Sequence, residues 1–77
     1  MAISYDLKYK RYIERRIGEQ CRRVRIAHGI SGKDLAEEFG YKPVMLYQFE
    51  GGYRFTTMLF FKYLNKWGID VWPEVKI

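Results

Sequence analysis

The side chains of this sequence that could do chemistry are donors of hydrogen bonds and positive charge between residues 32 and 54. Lys33, Lys42 and Arg54 could neutralise phosphate groups, and Tyr53 could donate its hydroxyl. A backbone amide at a helix N-terminus also attracts anions, because the helix dipole and the unpaired amides point towards them. The predicted phosphate contacts are Gly32, Lys33, Lys42, Met45, Tyr53 and Arg54.

A second group could contact the edges of nucleic-acid bases. It comprises the outward positions of a helix predicted over residues 43–50, namely Pro43, Val44, Tyr47 and Gln48. Bases are usually read by Arg, Lys, Asn or Gln, but Val44 could pack on thymine methyl groups, and Tyr47 and Gln48 could each make one hydrogen bond. The same apolar row is also typical of a protein interface, so a protein partner for this helix stays open.

Catalytic chemistry is not predicted. The sequence offers no Ser/His/Asp or Cys/His pairing, no paired-carboxylate site and no glycine-rich phosphate loop. Cys21 is expected to be a buried apolar filler, and His28 lies at a helix end without clustered ligands. We therefore expect no enzyme, no metal, no cofactor and no small-molecule substrate.

The composition limits the number of domains and the kind of partner that the chain could have. The 77 residues form one domain, and 14 basic against 9 acidic residues give a net charge of +5. Such a balance favours an anionic partner, most commonly nucleic acid, although a solvated basic surface would look the same. A single cysteine excludes an internal disulfide and fits a reducing cytoplasm. No apolar run is long enough to indicate a membrane span.

Two short helices and a tight turn should position the candidate groups, over about residues 31–50. Ser31 is an expected N-cap, and Gly40 an expected left-handed C-cap of the first helix. Pro43 suits the first position of the second helix, which should stop at Gly51 and Gly52. A helix, a glycine turn and a helix form a helix-turn-helix pattern. The expected inward residues are Leu35, Ala36, Phe39, Leu46 and Phe49.

The flanking segments are also predicted to be helical. Apolar residues recur at three- and four-residue steps, so a first helix could start at Ser4 and run unbroken from Asp6 to Ala27. Gly18 marks either a break or a close contact within it. Its outward residues should be Arg15, Arg16, Arg22 and Arg23, of which the last two could contact phosphate but are more simply solvated.

A later helix is expected at about residues 57–67, capped by Thr56 or Thr57. Its broad apolar face should comprise Leu59, Phe60, Tyr63, Leu64 and Trp67. Residues 69–77 form a short turn capped by Asp70 or an extended tail.

The sequence resembles the Cro/repressor family of DNA-binding domains, also called XRE-type or lambda-repressor-like. The resemblance lies in Ile30-Ser31, Asp34-Leu35-Ala36, Gly40-Tyr41, Leu46 and Glu50-Gly51-Gly52. It implies an all-α domain of four to five helices and a structural ion pair between Arg25 and Glu50. In that family a glutamine that bonds phosphate stands where this chain has Gly32. Residues 1–12 would be a helical extension of the first helix, with an irregular arm as the alternative.

The resemblance also implies a function. The expectation is a sequence-specific transcriptional regulator, repressor-like, of phage, plasmid or bacterial origin, that places residues 43–50 in the major groove of double-stranded DNA as a homodimer. The alternative is an adaptor or antirepressor that binds protein through the same helix. Aromatic residues make up 18% of the chain, so some are expected at the dimer interface. The candidates are Tyr5, Tyr9, Tyr12, Trp67 and Trp72; the three tyrosines could instead pack against Phe60, Phe61 and Tyr63.

Overall fold

A computed structural model describes the backbone of residues 2–72 and the side chains of residues 8–72. The described part is all-α and contains no strand. Its elements are α1 (Ala2–Ala27), α2 (Gly32–Phe39), α3 (Pro43–Glu50), α4 (Thr57–Trp67) and a 3-10 turn (Gly68–Val71). No helix in this part is long and apolar enough to cross a membrane.

The first helix is continuous and begins earlier than the sequence indicated. Its 26 residues should span about 39 Å, close to the molecule's longest dimension of 43 Å. Gly18 interrupts nothing and marks a close contact, since a Cβ atom there would lie 2.2 Å from the carbonyl oxygen of Phe49. Core residues Ile17, Cys21 and Val24 lie in its C-terminal half. Ile13 also packs against the core, so only the turns before it extend beyond the core. The described backbone has helix there, not an irregular arm.

The helices α2 and α3 have the predicted bounds because each end carries a strong local signal. The amide of Asp34 donates to the Ser31 hydroxyl at 3.1 Å. Gly40 adopts φ +79°, and its amide bonds the last carbonyls of α2. Pro43 occupies the start of α3. Buried side chains from both helices, including Leu46, pack into the common core. These contacts fix which side of α3 remains exposed.

An aromatic cluster joins α4 to the rest of the core. The buried ring of Tyr63 contacts Phe39 at 5.4 Å, Phe49 at 5.5 Å and Trp67 at 5.8 Å between centroids. Thr56 is the N-cap residue of α4, as predicted, although its side chain makes no capping hydrogen bond.

The chain after α4 differs from the prediction. Asp70 does not cap a turn but lies inside the 3-10 turn that begins at Gly68. The turn buries Val71 completely, and the Gln20 side chain on α1 donates to the Asp70 carbonyl at 3.0 Å. A local cap is unnecessary because these tertiary contacts hold the turn. Residues 73–77 of the predicted tail 69–77 lie outside the described residues.

The aromatic residues predicted for a dimer interface have different environments. Tyr12 is 43% exposed, and its ring stacks on Tyr9 at 6.4 Å. Trp72 is 51% exposed, with its ring edge-on to Phe60 at 5.2 Å. Trp67 is half-buried and packs within its own chain. The side chain of Tyr5 lies outside the described residues.

Candidate nucleic-acid interface

The outward face of α3 is open to solvent. Val44 is 56% exposed and Tyr47 49% exposed, and Pro43 and Gln48 are exposed beside them. With Tyr53, they line a shallow and mainly apolar groove. The structure thus brings together all four residues predicted to read bases. The apolar lining of the same groove is also typical of a protein-binding surface.

The ring of Tyr47 lies directly against Gly32 at the start of α2. A Cβ atom on Gly32 would be 2.3 Å from Cε1 of that ring and 2.6 Å from its hydroxyl oxygen. Gly32 is consequently buried, which removes support for the prediction that its amide contacts phosphate. Sequence analysis missed the contact between Tyr47 and Gly32, because 15 positions separate the two residues and only the crossing of α2 and α3 brings them together.

Basic residues lie on the α2 side of α3 and in the loop after it. Lys33 and Lys42 are exposed and line one depression together with Glu37, Tyr41 and Pro43. Tyr53 is 87% exposed, and Arg54 is also exposed. Four of the predicted phosphate contacts are therefore accessible. Met45 is only half-buried and has no charge or strong donor to offer a phosphate.

Three arginines of α1 lie beside the C-terminal half of α3 and the loop after it. Arg15 and Arg22 line a cleft with Tyr47, Glu50, Gly51 and Glu19. Arg11 and Arg15 line a second depression with Glu14, Gly52, Tyr53 and Phe55. Sequence analysis placed Arg15 among merely outward residues, gave Arg22 little weight and did not consider Arg11. The available signal was their spacing on one side of the helix.

A buried polar network fixes the C-terminal end of α3. Arg25 donates to both carboxylate oxygens of Glu50 at 2.7 and 2.9 Å and to the carbonyl of Ile30 at 2.7 Å. The Tyr63 hydroxyl also donates to Glu50. Arg25 and Glu50 are 7% and 4% exposed, so the predicted ion pair is present and buried. Since α1, α3 and α4 all contribute, the network fixes the orientation of α3, and Glu50 also borders the cleft that contains Arg15 and Arg22.

The electrostatics of this network follow from burial and hydrogen bonding. The hydrogen bonds to Glu50 raise the pKa of Arg25 above its ordinary value. Burial, followed by the hydrogen bond to Glu50, raises the pKa of Tyr63. Burial also raises the pKa of the Cys21 thiol, which disfavours the reactive thiolate. The network is therefore in its fully protonated arginine and tyrosine form at neutral pH.

His28 contacts other residues of its own chain. Its Nδ1 lies 2.9 Å from the Val24 carbonyl oxygen, and its ring lies 5.0 Å from that of Trp67. Among residues 8–72, no group of three or more potential metal-binding side chains is found.

No protein-family model, curated protein or solved structure matches this chain.

Proposed function

We propose that this chain is a lambda-repressor-like helix-turn-helix domain that regulates transcription in the cytoplasm by binding double-stranded DNA. In this proposal α3 enters the major groove, and a homodimer reads two half-sites. The observation that carries the proposal is the exposed outward face of α3 with basic residues near both of its ends: Lys33 and Lys42 at the N-terminal end, and Arg15 and Arg22 beside the C-terminal half. That arrangement suits a base-reading helix, because contacts to phosphates set its position on the duplex.

The distribution of charge supports a polyanionic partner. Several acidic residues are paired with cations within the chain: Glu14 with Lys10, Glu19 with Arg16, Glu38 with Lys66 and Glu50 with Arg25. Within residues 8–72, the cations around α3 make no ion pair: Arg11, Arg15, Arg22, Lys33, Lys42 and Arg54. Positive charge without internal partners attracts phosphates and steers their approach.

The chemistry of α3 favours sites that contain A·T pairs. Val44 can pack on the C5-methyl group of thymine, and the Gln48 amide can pair with adenine. Tyr47 can offer a hydroxyl from a ring seated against Gly32. Pro43, Val44, Tyr47 and Gln48 offer no arginine or lysine for guanine readout. The exposed lysine next to them, Lys42 at the N-cap of α3, is assigned to phosphate in this proposal.

Selection of bound duplexes from a randomised pool tests this function. We expect an A·T-containing preferred site and binding that weakens steeply with salt. Replacing thymine by deoxyuridine in the selected site removes only the methyl group and should weaken binding by the wild-type protein. The same replacement should not weaken binding by Val44→Ala, because that variant already lacks the contact. Gln48→Glu should change the preferred sequence.

Phosphate contacts should behave differently from base contacts. Lys42→Ala should weaken all duplexes alike and lower the salt slope by about one unit. Lys66→Ala is a matched control, since Lys66 belongs to a different surface and is paired with Glu38 at 2.9 Å. An absence of binding to every duplex in the pool at low salt would exclude the proposed function.

The second candidate function is protein recognition through the groove of Pro43, Val44, Tyr47, Gln48 and Tyr53. Its apolar lining is the specific observation that favours it. An adaptor or antirepressor of this kind would bind DNA weakly or not at all. Its binding to a protein partner would depend on Val44 and Tyr53 and respond little to salt.

Dimerisation is part of the proposal because two recognition helices about 34 Å apart match successive turns of the major groove. Tyr12 and Trp72 are the exposed aromatic candidates for the dimer interface. Sedimentation of the free protein and of Tyr12→Ser and Trp72→Ser variants would locate it. A monomeric wild-type protein at concentrations where it binds DNA would remove the dimer from the proposal.

A further inference from the structure

We propose that α1 is a second phosphate-binding element, in which Arg11, Arg15 and Arg22 bind the sugar-phosphate backbone of the same duplex that α3 reads. This inference rests on the proposed function. It adds a ligand-binding surface that the helix-turn-helix segment alone does not contain.

The three arginines belong to a regular stripe along α1. Lys8, Arg11, Arg15, Gly18 and Arg22 follow one another at alternating steps of three and four residues. Such spacing places them on one side of a helix. The distance from Arg11 to Arg22 along the helix is about 16 Å, which corresponds to the rise of roughly five base pairs. The stripe is therefore long enough to meet several phosphates.

Gly18 explains why this stripe lies beside α3. A Cβ atom at Gly18 would be 2.2 Å from the Phe49 carbonyl oxygen, so the backbones of α1 and α3 approach closely at the centre of the stripe. Arg15 and Arg22 lie on either side of this point in the sequence. The contact continues into the loop after α3, because the Arg15 side chain packs on Gly52, with Cγ 2.8 Å from the place of a Cβ atom there.

The arginines and the outward face of α3 form a continuous surface. Tyr47 lines both the cleft that contains Arg15 and Arg22 and the groove on α3. Tyr53 lines both the depression that contains Arg11 and Arg15 and the same groove. A duplex whose major groove receives α3 would thus have phosphates within reach of the α1 side chains.

The charges of the stripe are not neutralised inside the chain. The carboxylates that line the same depressions are paired with other cations: Glu14 with Lys10 at 4.0 Å, Glu19 with Arg16 at 3.0 Å and Glu50 with Arg25 at 2.7 Å. Within the described side chains, the three arginines have no ion-pair partner. Arg11 and Arg15 also stand four residues apart, where like charges destabilise a free helix. Phosphates would relieve this repulsion.

Charge-removing substitutions with a control on the same helix test the inference. The variants are Arg15→Gln and Arg22→Gln, and the control is Arg23→Gln, which removes an exposed arginine that lines neither depression. Fluorescence anisotropy would measure binding to a labelled random-sequence duplex of about 20 base pairs, two helical turns, over a range of salt concentrations. Arg22→Lys retains a charge, and urea unfolding shows that each variant is folded.

The two cleft variants, Arg15→Gln and Arg22→Gln, should each lower the slope of log affinity against log salt by about one unit. Arg23→Gln and Arg22→Lys should leave the slope close to the wild-type value. Equal losses in Arg15→Gln, Arg22→Gln and Arg23→Gln would mean that only net charge matters and would overturn the inference. Unchanged slopes in both cleft variants would overturn it as well, while duplex binding by the wild type would leave the proposed function standing. If the wild type binds no duplex, both proposals fail.

Discussion

Removal of Arg25 should destabilise the protein more than any surface substitution, because Glu50 would remain buried with no counter-charge. Arg25→Met replaces the guanidinium by an apolar side chain of similar length. Glu50 is 4% exposed and would keep only the hydrogen bond from Tyr63. Breaking a buried ion pair in this way costs about 3–5 kcal/mol. A chain of 77 residues has roughly 4–12 kcal/mol of total stability, so the variant should lose between about a quarter and all of it.

The companion substitutions separate loss of the pair from loss of packing. Tyr63→Phe removes one hydrogen bond to a carboxylate and should cost about 1.5–3 kcal/mol. The triple variant Arg25→Met, Glu50→Leu, Tyr63→Phe removes every polar group of the network except the Ile30 carbonyl that Arg25 bonds. Since no buried charge remains, its free energy of unfolding should lie within about 2 kcal/mol of the wild-type value.

Urea unfolding followed by far-ultraviolet circular dichroism measures these differences. Lys66→Met serves as the control, because it breaks a partly exposed ion pair with Glu38 and should cost less than about 1 kcal/mol. A loss below about 1 kcal/mol for Arg25→Met would refute the reasoning that the pair is buried and uncompensated. So would a triple variant no more stable than Arg25→Met alone.

Three other predictions concern the glycines and pH. Gly18→Ala should destabilise the protein by about 1–2 kcal/mol, although alanine has the better helix propensity. The reason is that the new Cβ atom would lie 2.2 Å from the carbonyl oxygen of Phe49. Thermal unfolding measures the change, and a variant more stable than the wild type would contradict the close approach of the two helices. Gly32→Ala should displace the Tyr47 ring and so alter the sequences selected from a random duplex pool. In a protein that already carries Tyr47→Ala, adding Gly32→Ala should leave the selected sequences unchanged. The free energy of unfolding should fall above about pH 10, the ordinary pKa of a tyrosine. The reason is that the unfolded chain then loses the Tyr63 proton, whereas the folded chain retains it. The free energy of unfolding of Tyr63→Phe, measured by the same urea titration, should fall less steeply with pH.

Local signals explain why the bounds of α2 and α3 could be predicted. Ser31, Gly40 and Pro43 act within one or two turns of their own positions, through a cap, a left-handed residue and a restrained φ. The first turn of α1 contains no acidic residue, so the sequence has no local signal for a start at Ala2. The predicted start, Ser4, was therefore two residues too late. The 3-10 turn before Trp72 was harder to predict because burial of Val71, a tertiary effect, holds it.

The candidate site was predictable in part. The outward positions of α3 follow from its own periodicity, and the structure exposes Val44, Tyr47 and their neighbours as expected. The burial of Gly32 by Tyr47 did not follow, because it depends on how two helices cross. The position of Arg15 and Arg22 beside α3 was missed for the same reason. Their common side on α1 can be read from spacing, but spacing does not say which helix that side meets.

By itself, the sequence determined that the chain carries excess positive charge and amphipathic helices separated by glycine and proline, because charge and periodicity are properties of neighbouring residues. Only the tertiary structure decided which cations adjoin the apolar face of α3 and which are paired elsewhere. That choice depends on contacts between distant backbones, above all where Gly18 lets α1 approach the end of α3. A side chain at that position would separate the two helices, and with them the arginines from the surface that they border.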